Sequence, residues 1–257
     1  MPLVTFYFQL HQPCRLHPDG DKFLWEEKNR EIFLKVAEKC YLPAAQMFTE
    51  LVTANPAFKI TLGMSGTFLE QAELYQPEVI RALQGLMAAG EKNGQVELLD
   101  ETYYHSLTSL FEDPKKKEFR AQVTLHREMI KRLFGIFPTS FRNTELMYNS
   151  DIAKVVADMG YKSILCEKRD DMYTRDGENI SPNAVFRARD TNLIVIPRNR
   201  ELSDDIAFRF PHNPITPQEY AKYIALIDGE AVMLGYDFEH IGEHIWSERG
   251  IFEFWRE

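Results

Sequence analysis

Apolar residues recur along this chain with two alternating periods. Short runs rich in β-branched and aromatic residues alternate with longer stretches whose apolar positions fall three and four apart. The runs Val4–Leu10, Phe58–Met64, Gln95–Leu99, Thr139–Arg142, Lys162–Cys166, Leu193–Ile196 and Ala231–Tyr236 are predicted strands. Between them, Asn29–Leu51 carries helix-spaced Ile32, Phe33, Val36, Ala37 and Tyr41. Thr67–Ala89 reads as helix with a break at Pro77, and Pro114–Phe134 as a strongly patterned helix. Ser150–Met159 is predicted to start on Ser150 as N-cap and to stop at Gly160. Thr216–Ile227 has Thr216 as cap and Pro217 in its first turn. Phe186–Arg189 and Leu193–Ile196 flank Asp190-Thr191-Asn192 and are predicted to pair as a hairpin.

Seven strand–helix alternations predict an α/β fold with a parallel sheet and right-handed crossovers. A doubly wound sheet or a barrel would satisfy the pattern. No glycine fingerprint follows the first strand and there is no GxxxxGK[ST], so no nucleotide cofactor is called for. The placement of polar residues favours the barrel, in which ligand chemistry gathers at the carboxyl ends of the strands. His11-Gln12-Pro13 follows the first strand. Ser65 and Thr67 follow the second, and Asp100 and Glu101 the third, which itself holds Glu97. Arg142-Asn143-Thr144-Glu145 closes the fourth and Glu167-Lys168-Arg169-Asp170 the fifth. Arg198-Asn199-Arg200 follows the sixth and Asp237-Phe238-Glu239-His240 the seventh. Every strand end but the second has an ionisable group within two residues.

Glu145 and Asp237 stand immediately beyond apolar runs. A carboxylate there costs desolvation unless it is hydrogen-bonded or employed. Two carboxylates at one mouth are what glycosidic cleavage requires: one acts at the anomeric carbon, the other protonates the leaving oxygen.

The 257 residues carry a net charge of −9, with 44% hydrophobic and 27% charged residues, which excludes disorder and provides for one large core. The acidic balance argues against nucleic acid as a partner, and the Lys115-Lys116-Lys117 run reads as a solvated face. No apolar run approaches the roughly 18 residues of a membrane helix, and the first residues read as a strand rather than a signal peptide. Cys14, Cys40 and Cys166 are scattered and odd in number, which predicts no disulfide framework and a reducing, cytoplasmic setting.

His11-Gln12-Pro13 after an aromatic strand, Gly94-Gln-Val-Glu97-Leu-Leu, Arg142-Asn-Thr-Glu145-Leu-Met-Tyr-Asn and Gly235-Tyr-Asp237-Phe-Glu-His-Ile-Gly-Glu-His together resemble glycoside hydrolase family 57. The four blocks occur in order and span most of the chain. Tyr236-Asp-Phe-Glu with Gly250-Ile-Phe-Glu-Phe is most similar to that family's α-amylases. The resemblance implies an incomplete, TIM-like (β/α)7 barrel over residues 1–257, acting on α-glucans or maltooligosaccharides with retention and without metal or cofactor. It implies Glu145 as nucleophile and Asp237 as general acid/base, with His11 and Glu97 lining the subsite of the sugar being cleaved. Gln12, Arg142 and Trp246 are further substrate-binding candidates. Arg142 departs from the family pattern, in which a Trp often stands there. Family members usually continue into a helical region that closes the cleft, so a second copy or a partner completing the cleft is a further expectation.

Other readings stay open: a 4-α-glucanotransferase or branching enzyme of the same family, or a carbohydrate-binding protein with little turnover. A metal-dependent polysaccharide deacetylase would use His11, Asp237 and His240. His240-Ile-Gly-Glu-His244 matches the inverted zinc-peptidase motif, although Gly242 weakens the helix that motif needs. Trp25, Tyr103 and Tyr104 are candidate stacking surfaces. His105, His126 and His212 are read as surface or structural residues.

Overall fold

The computed structural model describes residues 2–20 and 23–257. The seven predicted strands form one parallel sheet that closes on itself. They are β1 (Leu3–Leu10), β2 (Ile60–Met64), β3 (Val96–Asp100), β4 (Ser140–Arg142), β5 (Ser163–Glu167), β7 (Ile194–Arg198) and β8 (Ala231–Asp237). β1 lies between β2 and β8, and β5 pairs with both β4 and β7. The predicted hairpin is present: the short β6 (Phe186–Arg187) runs antiparallel to β7. The last seam, β7 to β8, has a single register pair, Arg198↔Met233. The Arg198 side chain supplements it, its Nε donating to the Gly235 carbonyl at 3.1 Å. Inside the barrel Tyr7, Leu99, Leu146, Leu165 and Met233 form a small buried cluster, so the lumen is packed rather than open.

The helices cover the outside. α1 (Glu26–Val36) and α2 (Leu42–Ala54) are joined without a break by a wider π-type turn over residues 37–41, where one uninterrupted helix was expected. The break at Pro77 separates α3 (Gly66–Tyr75) from α4 (Pro77–Gly90). α5 (Lys117–Phe134) ends on Gly135 in the left-handed region. α6 (Ser150–Asp158) is capped by Asn149, not Ser150: the Asn149 side chain accepts from the Ile152 amide. A short α7 (Arg200–Asp204), which the sequence did not suggest, follows β7. Thr216 caps α8 (Pro217–Ala225) as expected, in a reciprocal capping box with Glu219. α9 (Ile251–Arg256) closes the described chain and buries Phe254 and Trp255 against the core.

The three cysteines are unpaired. No helix among the described residues is long and apolar enough to cross a membrane.

Candidate active site

The carboxyl ends of β1, β3, β4 and β8 converge on a network centred on Glu101, the first residue past β3. Its side chain is fully buried. Gln9, one residue before the end of β1, donates from Nε2 to Glu101 Oε1 at 2.7 Å. The Gln9 amide oxygen in turn accepts from the Tyr7 hydroxyl. His105 Nδ1 lies 3.0 Å from Glu101 Oε2, and Arg142 Nη1 lies 3.7 Å from the same oxygen. Burial by itself would raise the Glu101 pKa; the His105 hydrogen bond and the Arg142 charge outweigh it and hold the carboxyl at about 2. An ionised Glu101 only accepts, so the proton between it and His105 is on Nδ1. Arg142 Nη1, 3.2 Å from that nitrogen, therefore acts on Glu101 through its charge, and its Nε is buried without a partner.

His105 sits in the left-handed region at φ 53°, and its other nitrogen, Nε2, is 3.4 Å from Glu145 Oε1. The ring stacks on His11 with centroids 4.1 Å apart and planes 18° apart. His11 Nδ1 is 2.8 Å from Ser65 Oγ, the N-cap of α3. Burial, aided by the neighbouring His105, pushes the His11 pKa down to about 4, which keeps its ring neutral near pH 7.

Glu145 follows β4 on a strained turn. Glu145 and Leu146 both have positive φ, 55° and 53°. Two such non-glycine residues cost of order 1–3 kcal/mol each and persist only where the surroundings impose them. Here they do: Asn143 Nδ2 donates to Ser109 Oγ and to the Met147 carbonyl, and Thr144 Oγ1 meets Thr102 Oγ1 at 2.9 Å. Leu146 is thereby held in the barrel interior while the Glu145 side chain stays 70% exposed at the rim. Asp237, exposed at the end of β8, is the register partner of Gln9. Glu145 and Asp237 both act on one group: with Glu101 they push the buried Tyr7 phenol upward, against the pull of Arg142 and in the direction of the larger effect of burial.

Two residues past Asp237, Glu239 is buried and accepts from the Tyr41 hydroxyl at 2.6 Å and from the His11 amide at 3.4 Å. Burial, with Asp237 adding to it, raises its pKa to about 8 despite the Tyr41 hydrogen bond. His240 Nδ1 donates to the Asp237 carbonyl at 3.0 Å, which leaves its Nε2 free of that bond.

The sequence candidates thus divide. Glu145, Asp237, His11 and Arg142 meet at one mouth. Glu97 does not join them: it is the second residue of β3, in register with Thr61 and hence with Tyr7, exposed toward the amino end of the barrel, and it accepts from Ser140 at the start of β4. It lies four positions before Glu101, about 13 Å along a strand. Gln12 is buried beneath the mouth, its Nε2 donating to Tyr41 Oη at 3.0 Å. Trp246 is 62% exposed in an open groove of about 640 Å³ shared with Glu38, Lys39 and Phe252, with the Lys39 ammonium 5.9 Å from its ring. None of the residues lining that groove belongs to the Glu101 network.

His105, set aside in the sequence, links Glu101 of that network to Glu145. His126 is a structural residue, as read: it lies fully buried between Asp100 Oδ1 and the Met64 carbonyl, at 2.7 Å from each. His240 and His244 do not share a helix. Gly242 between them has φ 104°, and its α-carbon packs so close to the Lys39 carbonyl that a side chain would clash. Among the described residues no three His, Cys, Asp or Glu side chains are grouped to hold a metal ion.

Comparison with known proteins agrees with this architecture. The family model for glycosyl hydrolase family 57 matches residues 5–257. A Methanocaldococcus jannaschii protein named "Putative alpha-amylase" is 41% identical over 99% of this chain and 55% of its own length. The chain therefore spans little more than half of that relative. The branching enzyme of Thermococcus kodakaraensis superposes with a TM-score of 0.71 over 98% of this chain and 67% of its own, at 13% identity. The 4-alpha-glucanotransferase of Thermococcus litoralis gives 0.69 over 98% and 37%, at 17% identity. These two share the fold. The family match over nearly the whole chain and the relative at 41% identity place this chain in glycosyl hydrolase family 57.

Proposed function

We propose that this chain is the catalytic barrel of a retaining glycosidase that hydrolyses α-1,4-linked glucans, with Glu145 as nucleophile and Asp237 as general acid/base. The observation that carries the reading is the turn after β4. Two consecutive left-handed residues, held by Asn143 and Thr144, present the Glu145 carboxylate at the mouth beside a buried, charge-balanced network. Strain maintained in this way is a mark of a functional position. The Glu145 oxygen attacks the anomeric carbon as the glycosidic C–O bond breaks, and Asp237 gives its proton to the departing oxygen. Asp237 then takes a proton from the water that opens the glycosyl-enzyme. Neutral His11 beside the mouth is suited to a sugar hydroxyl. The α-glucan substrate is taken from the relatives' names and the family.

The test is turnover of a chromogenic maltooligosaccharide with the anomer of the first product followed by NMR. Glu145→Gln and Asp237→Asn should each lower kcat by at least about 10²–10⁴-fold, and the product should appear first as the α-anomer. Product sizing separates hydrolysis from glucan transfer. Wild-type rates in Glu145→Gln, a β-anomer first, or activity abolished by a chelator would each overturn the reading.

A further inference from the structure

We propose that His105 is a positioning residue for Glu145: anchored through Nδ1 to buried Glu101, it holds one Glu145 oxygen with Nε2 and so presents the other to the sugar. The proposal rests on Glu145 being the nucleophile.

Glu145 is 70% exposed, and a glutamate on a surface turn would otherwise sample many rotamers. His105 is the neighbour that limits it, at 3.4 Å. The His105 ring has little freedom of its own. Its Nδ1 is tied to Glu101 at 3.0 Å, one face is covered by His11 at 4.1 Å, and only 11% of the side chain is exposed. Glu101 is itself held from two further strands, by Gln9 at 2.7 Å and Arg142 at 3.7 Å. The chain Gln9–Glu101–His105–Glu145 therefore transmits the rigidity of the barrel wall to a rim side chain. The two ring nitrogens thus face a carboxylate at each end, Nδ1 toward Glu101 and Nε2 toward Glu145. The 3.4 Å separation is a length that closes when substrate excludes water.

The arrangement makes a distinction that packing alone would not. A defect in positioning the nucleophile slows formation of the glycosyl-enzyme whatever the leaving group. A defect in acid catalysis is relieved when the leaving group needs no proton. The experiment compares α-maltosyl fluoride with a maltooligosaccharide in four variants, each checked for an unchanged melting temperature. His105→Phe keeps a flat ring on His11 and should lose about 100-fold in kcat on both substrates, the scale set by small misplacements of reacting groups, with KM nearly unchanged. His105→Gln places an amide nitrogen near the site of Nε2 but gives up the Nδ1 tie to Glu101, and should recover part of that loss. Asp237→Asn should form the glycosyl-enzyme slowly from the maltooligosaccharide but at the wild-type rate from the fluoride, read as a burst of fluoride release. Its turnover on both should be slowed at the water step. Glu145→Gln should be inactive on both. If His105→Phe cleaves the fluoride at the wild-type rate while Glu145→Gln is inactive, the positioning role is overturned and the nucleophile stands. Equal losses in the Phe and Gln variants assign His105 to packing and also overturn it. An active Glu145→Gln, or an inactive wild type, overturns the glycosidase reading instead.

Discussion

Gln9 Nε2 donates to Glu101 Oε1 at 2.7 Å, joining β1 to the end of β3 across the strand between them. The span is open because Gly63, the register partner of Gln9 on β2, has no side chain. A β-carbon there would lie 2.5 Å from Gln9 Oε1 and 3.1 Å from the Tyr7 hydroxyl. Gly63→Ala should therefore displace Gln9 and remove a hydrogen bond to a buried carboxylate, worth about 1.5–3 kcal/mol. Urea denaturation measures the loss directly. Wild-type stability in this variant would show that the bridge contributes nothing.

Glu97 provides the opposite case. It is exposed near the amino end of β3 and bonds to Ser140 rather than to any group at the mouth. Glu97→Ala is expected to leave maltooligosaccharide turnover unchanged and to alter stability by no more than about 0.5 kcal/mol. Loss of activity in Glu97→Ala would require a substrate path through the barrel floor.

Glu239 sets a pH dependence of stability. Its folded pKa, about 8, lies above the ordinary 4.5, because burial outweighs the hydrogen bond from Tyr41. Between those values the folded chain retains a proton that the unfolded chain has released. Stability from this group is thus complete below about pH 4.5 and declines as pH rises toward about 8. Glu239→Gln keeps an acceptor for Tyr41 and removes the ionisation. Its melting temperature should exceed that of the wild type at pH 8, and the difference should vanish near pH 4. Parallel melting curves across that range would contradict the assigned burial of the carboxyl.

Much of the barrel is legible from the apolar pattern. Val4–Leu10 and Ala231–Tyr236 are β-branched and aromatic runs whose strands form within a residue of the expected bounds. Asp237 stands out for the same reason, as charge directly beyond such a run, while Glu145 lies three residues past β4 and stands out through its motif. Asp100 and Glu101 could not be separated this way, since a one-residue uncertainty in where β3 ends decides which acid tops the strand, whereas Glu97 lies inside the strand on either boundary. His105 was invisible because its place depends on a left-handed backbone in a loop, and no periodicity encodes that. Trp246 is exposed as a stacking residue should be, but its groove lies among Lys39 and Phe252 rather than at the mouth.

The widened turn at residues 37–41 sets the phase of the helical rod that flanks β1 and β2. It brings two successive side chains inward: Cys40 Sγ reaches the Phe238 carbonyl at 3.3 Å and Tyr41 Oη reaches Glu239 at 2.6 Å. In an ordinary α-helix consecutive residues stand about 100° apart around the axis. Shortening this segment by one position would rotate α1 against α2 by about that angle. Phe33 on one side and Phe48 on the other, both fully buried, could then no longer be seated together. The extra residue thus works as a fixed angular offset, locking the outer shell in step with the strand that carries Asp237.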